Sequence, residues 1–316
     1  MGPRCRGPHG RRSAKTWQAS SARLVKVSMT SEVMERPRRL RYRGAMHSPA
    51  LTTPPPIGTL LRDWRLRRRL SQLDLAGEAA VSTRHLSYLE TGRAEPSREM
   101  VLRLADRLDV PLRERNRWLA AAGFAPMFAE RRLDDPALAA GRAAIELVLK
   151  AHEPWPALAV DRHWAMVAHN AVVPVLIAGC AAELLQPPVN VLRLSHHPEG
   201  LAPRIANLRE WRAHLLSRLD RQIAASGDAA LEALHEELGR YPQPGADRVA
   251  PHGGGSDIVV PLVFDSPLGR LTFISTTTVF GTPNDVLLSE LALETFLPAD
   301  SATQVALRGA AAGSAA

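Results

Sequence analysis

The stretch from Leu70 to Pro96 constrains the fold more than any other: Leu-Ser-Gln-Leu-Asp-Leu-Ala-Gly-Glu-Ala-Ala-Val-Ser-Thr-Arg-His-Leu-Ser-Tyr-Leu-Glu-Thr-Gly-Arg-Ala-Glu-Pro. It encodes two short amphipathic helices joined by a tight turn. Ser71 is a suitable N-cap, and Asp74 three residues on can return the bond in a capping box. Leu73, Leu75 and Ala76 are expected to give this first helix its apolar side. The turn falls around Ala79, Ala80 and Val81, and Ser82 caps the next helix, in which Leu86 and Leu89 share one face. Thr83, Arg84, Ser87 and Tyr88 point elsewhere. The second helix therefore hides two leucines and offers polar and cationic groups, as a helix entering a DNA major groove must. Gly92 can take the left-handed conformation that ends a helix, and Pro96 prevents continuation.

Upstream, Ile57, Leu60, Leu61 and Trp64 recur at helical spacing. Downstream, Ser97 can cap a fourth helix carrying Val101, Leu102, Ala105 and Leu108, and a fifth runs from Leu112 to Ala121 with Trp118 and Leu119 inside. Residues 57–122 thus predict a five-helix bundle with its own core. The pattern Leu-Ser-Gln-x-x-Leu-Ala, then Val-Ser-x-x-x-Leu-Ser-x-Leu-Glu-x-Gly-Arg-x-x-Pro, resembles the phage-repressor-type (Xre) helix-turn-helix family. The resemblance implies a lambda-repressor-like all-α domain whose recognition helix begins at Ser82. Thr83, Arg84 and Tyr88 would face base edges, Ser87 would lie near the backbone, and Gln72 with Thr91 to Arg93 would meet phosphates. Chemistry agrees, since Arg can bridge guanine O6 and N7 and Thr can give a hydroxyl and a methyl contact. Arg65 and Glu90 match a pair that the resemblance makes a structural ion pair. The turn position that this family usually gives to Gly is Ala80 here. Left-handed geometry costs a non-glycine residue roughly 1–2 kcal/mol, so either the turn differs or the module tolerates the strain. A bundle that binds protein instead of DNA is the bland alternative.

Composition bounds the rest. No apolar run approaches the roughly 18 residues that span a bilayer, and the longest, Ala171 to Leu185, is interrupted by Pro174 and Gly179. Cys5 and Cys180, the two cysteines, stand in different regions, which supports neither a disulfide framework nor a zinc site. The overall charge of +8 is uneven: residues 1–50 hold twelve Lys or Arg against two Glu, and residues 57–122 hold thirteen Arg against nine acids. The remainder is acidic, so a basic DNA module is joined to a part that avoids DNA. Residues 1–56 lack hydrophobic periodicity and are expected to be a disordered basic tail. They read either as an arm that adds non-specific DNA affinity or, the favoured reading, as sequence upstream of a true start at Met46.

Residues 123–134 are expected to be a linker, residues 135–307 a second domain and residues 308–316 a disordered tail. The second domain predicts a helix over 135–151, a hairpin of Ala157–Val160 with Trp164–Ala168, and helices over 170–182, 203–225 and 228–239. Strands over 258–264 and 271–279 follow, then a last helix from Asn284 to Phe296. Strands flanking helices suggest an α+β domain with a small antiparallel sheet. Several stretches resemble the ligand-binding domain of MmyB-like transcription regulators: Pro156 to Trp164, Ala168 to Asn170, Asn190 to Leu194, His197 to Leu201, Phe280 to Val286 and Glu290 to Asp300. The resemblance spans about residues 131–307 and implies a PAS-like fold and a fatty-acid-like ligand. Such a ligand needs a cationic or hydrogen-bonding anchor and an apolar tube. Arg193, with His196 and His197 nearby, is the best anchor in the sequence, because Arg offers a bidentate fork to a carboxylate. Trp155, Trp164, Val167, Leu176, Ile177, Phe264, Phe273 and Phe280 are candidates for the tube, though for any one of them a place in the core is the better reading. Arg193 has the alternative of pairing with an acid, and Asn170 that of capping a helix.

No Gly-rich phosphate loop, His-Glu-x-x-His or nucleophile-elbow serine occurs. The adjacent His196, His197 and Glu199 are poorly spaced to converge on one ion. Neither enzyme activity, cofactor nor metal is expected. The sequence therefore predicts a cytoplasmic, nucleoid-associated transcription regulator, a homodimer on operator DNA, controlled by a small apolar or fatty-acid-like molecule. The rival is a DNA-binding protein whose C-terminal half is a protein-interaction scaffold with a filled core.

Overall fold

A computed structural model describes residues 55–242, 245, 260–281 and 285–313. The tail expected over residues 1–56 lies almost wholly outside them. Five helices open the described chain: α1 (Ile57–Arg67), α2 (Gln72–Glu78), α3 (Thr83–Glu90), α4 (Arg98–Arg107) and α5 (Leu112–Ala121). Three of them start on local chemistry. Ser71 and Asp74 form the reciprocal capping box of α2, Ser82 accepts from the His85 amide, and Ser97 accepts from the Met100 amide. Leu61, Trp64, Leu75, Leu86, Leu104 and Trp118 meet in one core. Leu73 does not join it. It is 70% exposed, because the face of α2 that packs on α3 and α4 is set by Leu75 and Ala76. Gly58 lets α1 come close to α3: a Cβ there would lie 2.4 Å from the Leu89 carbonyl oxygen. Ala80 does take left-handed backbone, at φ +52°, so the turn keeps its geometry and the module carries the strain.

Residues 123–134 are not a free connector. The Asn116 side chain accepts from the Met127 and Phe128 amides and donates to the Phe128 carbonyl, and Ala129 bridges to Asp285. A buried side chain with four bonding positions has thus captured the segment.

The second domain runs α6 (Ala139–Ala151), β1 (Ala157–Val160), β2 (Met166–His169), α7 (Val172–Ile177), α8 (Val191–His196), α9 (Leu208–Ser226) and α10 (Ala229–Arg240). It continues with β3 (Leu262–Ser266), β4 (Gly269–Val279), α11 (Val286–Glu290), β5 (Ala292–Pro298) and α12 (Ser301–Gly313). The strands form one antiparallel sheet in the order β2-β1-β5-β4-β3. Alternation along β1 fixes its two faces. Leu158 and Val160 enter the main core with α9 and α10, while Ala157 and Ala159 meet Ile145 and Leu149 of α6.

Three expectations are corrected here. The last predicted helix is mostly strand β5, with only the single turn of α11 before it. Leu293, Glu294 and Thr295 are all buried between β1 and β4, so β5 lacks the alternation that marks a half-exposed strand. Pairing on both edges overrides the local helix preference of Leu-Leu-Ser-Glu-Leu-Ala-Leu-Glu. The expected C-terminal tail is helical to Gly313, in α12, which buries Thr303 and Leu307 against the sheet. The predicted helix over 170–182 shrinks to α7, and Gly179 beyond it is left-handed, at φ +83°.

Candidate nucleic-acid interface and ligand cavity

Helix α3 turns Leu86 and Leu89 inward and leaves its other face available. Arg84 is exposed there. Its Nε donates to the Tyr88 hydroxyl at 2.9 Å, and its guanidinium lies 5.4 Å from the centre of the Tyr88 ring. Thr83, Ser87 and Tyr88 are partly exposed on the same helix, and Ser82, Thr91 and Arg93 are exposed at its two ends. The Thr91 hydroxyl donates to the Ser87 carbonyl, closing the helix end from which the Arg93 side chain projects. Behind this surface Arg65 forms a two-pronged pair with Glu90, at 2.6 and 2.8 Å, and also donates to the Leu70 carbonyl. Gln72 donates its amide to Glu90 at 2.8 Å, so part of its donor capacity is committed inside the module. Burial acts to raise the Glu90 carboxyl, but the bonds from Arg65 and Gln72 outweigh it and hold it below its ordinary value. Both α1 and α2 are thereby fastened to the end of α3.

The second site is a cavity of about 120 Å³ between the sheet and the helices over it. Its wall is almost entirely apolar, and Trp164, Leu176, Ile177, Phe264 and Phe273 all contribute. Trp164 sits in left-handed backbone, at φ +65°, and its indole N–H donates to Gln222 of α9 at 2.8 Å. Two charged side chains, Arg218 of α9 and Glu294 of β5, also line the cavity.

The family model for the MmyB-like transcription regulator ligand binding domain matches residues 142–310, and one for a helix-turn-helix domain matches residues 56–118. The chain belongs to the MmyB-like transcription regulators. No curated protein matches it. The two domains make this regulator a DNA-binding protein with a small-molecule domain attached.

Within the regulator, the residues proposed from sequence as ligand contacts mostly fall elsewhere. Arg193 is not on the cavity wall. Its Nε and Nη2 each lie 2.6 Å from Glu237 of α10, because α8 directs it at that carboxylate. The pairing lowers the Glu237 carboxyl from its ordinary value, with the Tyr241 hydroxyl adding a third bond. His197 meets Tyr241 edge to face at 5.1 Å and accepts from the Glu199 amide. Asn170 is buried among backbone groups, donating to the Trp155 and Leu149 carbonyls and accepting from Ala157, and so ties β1 to the end of α6. Trp155 is half-buried beneath Arg308 of α12 at 5.6 Å. Phe280 and Val167 pack on the opposite side of the sheet, with Ile145 and Leu149. Of the residues named from sequence, Trp164, Leu176, Ile177, Phe264 and Phe273 reach the cavity, while Arg193, His197, Asn170, Trp155, Val167 and Phe280 do not.

Sequence reasoning missed Arg218 and Glu294. Arg218 is one of many arginines, and Glu294 sits in a stretch that reads as helix. It also missed the contacts joining the two domains of the regulator. Arg113 of α5 forms a two-pronged pair with Glu290, at 2.8 and 2.9 Å, while also reaching Glu130. Arg131 meets Asp285 at 3.1 Å, and Arg67 of α1 donates to the Ser226 carbonyl at 3.0 Å.

Proposed function

We propose that this chain is a one-component transcription regulator that binds operator DNA as a homodimer and is controlled by a small apolar, fatty-acid-like molecule held in the C-terminal cavity. The five-helix module is read as phage-repressor (Xre) type and the sensor as PAS-like. Thr83, Arg84 and Tyr88 read base edges, Ser82 and Ser87 lie close to the DNA backbone, and Gln72, Thr91 and Arg93 meet phosphates. The observation that carries the sensor reading is the cavity itself: an apolar void walled by aromatic and branched side chains, with a few polar groups among them. At about 120 Å³ it is near the roughly 150 Å³ of an apolar cavity that takes up benzene, so a longer chain must displace some of its wall.

The Arg113–Glu290 pair gives the ligand a route to the DNA module, since Glu290 ends the turn that leads into β5 and β5 carries Glu294 on the cavity wall. For the ligand to regulate, it must favour one of two arrangements of the domains by differential affinity. Native mass spectrometry of the full chain, before and after denaturing extraction into an apolar solvent, tests the reading. A dimer that releases a discrete apolar molecule, and whose affinity for operator DNA changes once it is emptied, is the expected result. A dimer with no extractable molecule, and no response to added apolar compounds, turns the second domain into a scaffold.

A further inference from the structure

We propose that the cavity prefers a ligand whose polar end is an uncharged hydrogen-bond acceptor over one that ends in an ionised carboxylate, and that the Arg218–Glu294 pair makes the choice. This rests on the reading of the cavity as the ligand site, and it concerns the head of the ligand instead of its chain. Arg218 and Glu294 are the two charged side chains on the described wall, and the Ser195 hydroxyl, also on the wall, already accepts from the Trp211 indole.

The guanidinium is partly spent. Its Nη1 and Nη2 donate to the two oxygens of Glu294, at 3.3 and 2.7 Å, and Nη2 donates again to Thr277 at 2.9 Å. A guanidinium has five N–H groups, so Nε–H and the second Nη1–H remain for an incoming acceptor. Glu294 is not free to leave. It stands in the middle of the sheet, opposite Leu158 on one side and Thr277 on the other, and the Thr277 hydroxyl donates to it at 3.0 Å. The Arg218 guanidinium is held in turn 4.9 Å from the centre of the Trp164 ring.

The consequence is a matter of charge. The pair is neutral as it stands, so the wall has hydrogen bonds to offer but no net positive charge. An ester, amide, ketone or alcohol oxygen can take the spare donors at no electrostatic cost. An ionised carboxylate must share the same cation with Glu294, and two carboxylates in a low-dielectric site resist double ionisation. A free acid is therefore bound chiefly in its protonated form.

Hexanoic acid and methyl pentanoate test this directly, since they are isomers that differ in where the charge can sit. Each is titrated into the full chain at neutral pH, by calorimetry and by tryptophan fluorescence, with Trp164→Phe as the check that the signal arises in the cavity. The ester is expected to bind at least tenfold more tightly. Hexanoate should gain affinity as pH falls towards its own pKa while the ester does not. Glu294→Gln should close or reverse the gap, and if that variant does not fold, the pH dependence in the unaltered chain still decides. Hexanoate binding as tightly as the ester at neutral pH overturns the head-group preference and leaves the cavity as a ligand site. Failure of both isomers to bind overturns the cavity reading, and the preference with it.

Discussion

The two domains each contain an arginine–glutamate pair in mostly apolar surroundings, and the two pairs do different work. Arg65 and Glu90 are 25 residues apart, nearly fully buried, and sealed by Gln72 and the Leu70 carbonyl. Arg218 and Glu294 are 76 residues apart and line a cavity. The first holds three neighbouring helices together. The second is part of a wall that exists only after a helix and a central strand have met. Each guanidinium spends three of its five N–H groups, so the difference lies in the surroundings: the first pair is enclosed by the helices it joins, and the second borders a void.

Glu90→Ala puts the largest strain on that comparison. It leaves the Arg65 guanidinium buried without its counter-charge and should destabilise the N-terminal module by about 3–5 kcal/mol. Truncation of Glu294 should cost less, because Arg218 keeps its bond to Thr277 and is more exposed than Arg65, at 19% against 8%. Urea unfolding of the two variants, followed separately in each domain, checks the order. Equal costs would mean that the cavity pair is as much a fastening as the other.

The second domain should also be the more sensitive to acid. His196 is buried, with its Nδ1–H donating to the Leu192 carbonyl and its Nε2 without a partner. Burial pushes its pKa down from 6.5 to about 4. The unfolded chain therefore takes up this proton first as pH falls. Stability from this residue is complete above about pH 6.5 and is lost between there and pH 4, amounting to about 3 kcal/mol. Burial lowers His152 and His214 in the same direction. A pH series of unfolding midpoints on the unaltered chain and on His196→Gln measures it, and the variant should have the flatter profile.

At the DNA surface the expected effects are smaller. Arg84→Ala should weaken operator binding by about 1–3 kcal/mol and relax preference at one base pair, as read by competition against single-base operator variants. Uniform loss on every sequence would move Arg84 from base to phosphate. The smallest effect has the opposite sign. Ala80 occupies left-handed backbone in an exposed turn, so Ala80→Gly should stabilise the module by up to about 1 kcal/mol in thermal unfolding. No gain would show that the turn has relaxed its strain elsewhere.

The sequence by itself determined the five-helix module almost completely. Its caps, turn and buried leucines lie within a few residues of one another, and the partners of Ser71, Ser82 and Ser97 are each three residues away. Leu73 escaped that reading because an apolar residue on a helix says nothing about which face its neighbours will cover. The hairpin β1–β2 and the two later strands that become β3 and β4 were visible for the same local reason. Tertiary structure alone decided that Ala292 to Pro298 is a strand, since its hydrogen bonds go to β1 and β4 and none to its own neighbours. It likewise decided that Arg193 answers to Glu237 while Arg218 faces the cavity. A charged side chain takes the partner that packing brings within reach, and in a domain of crossing strands and helices sequence distance does not measure that reach.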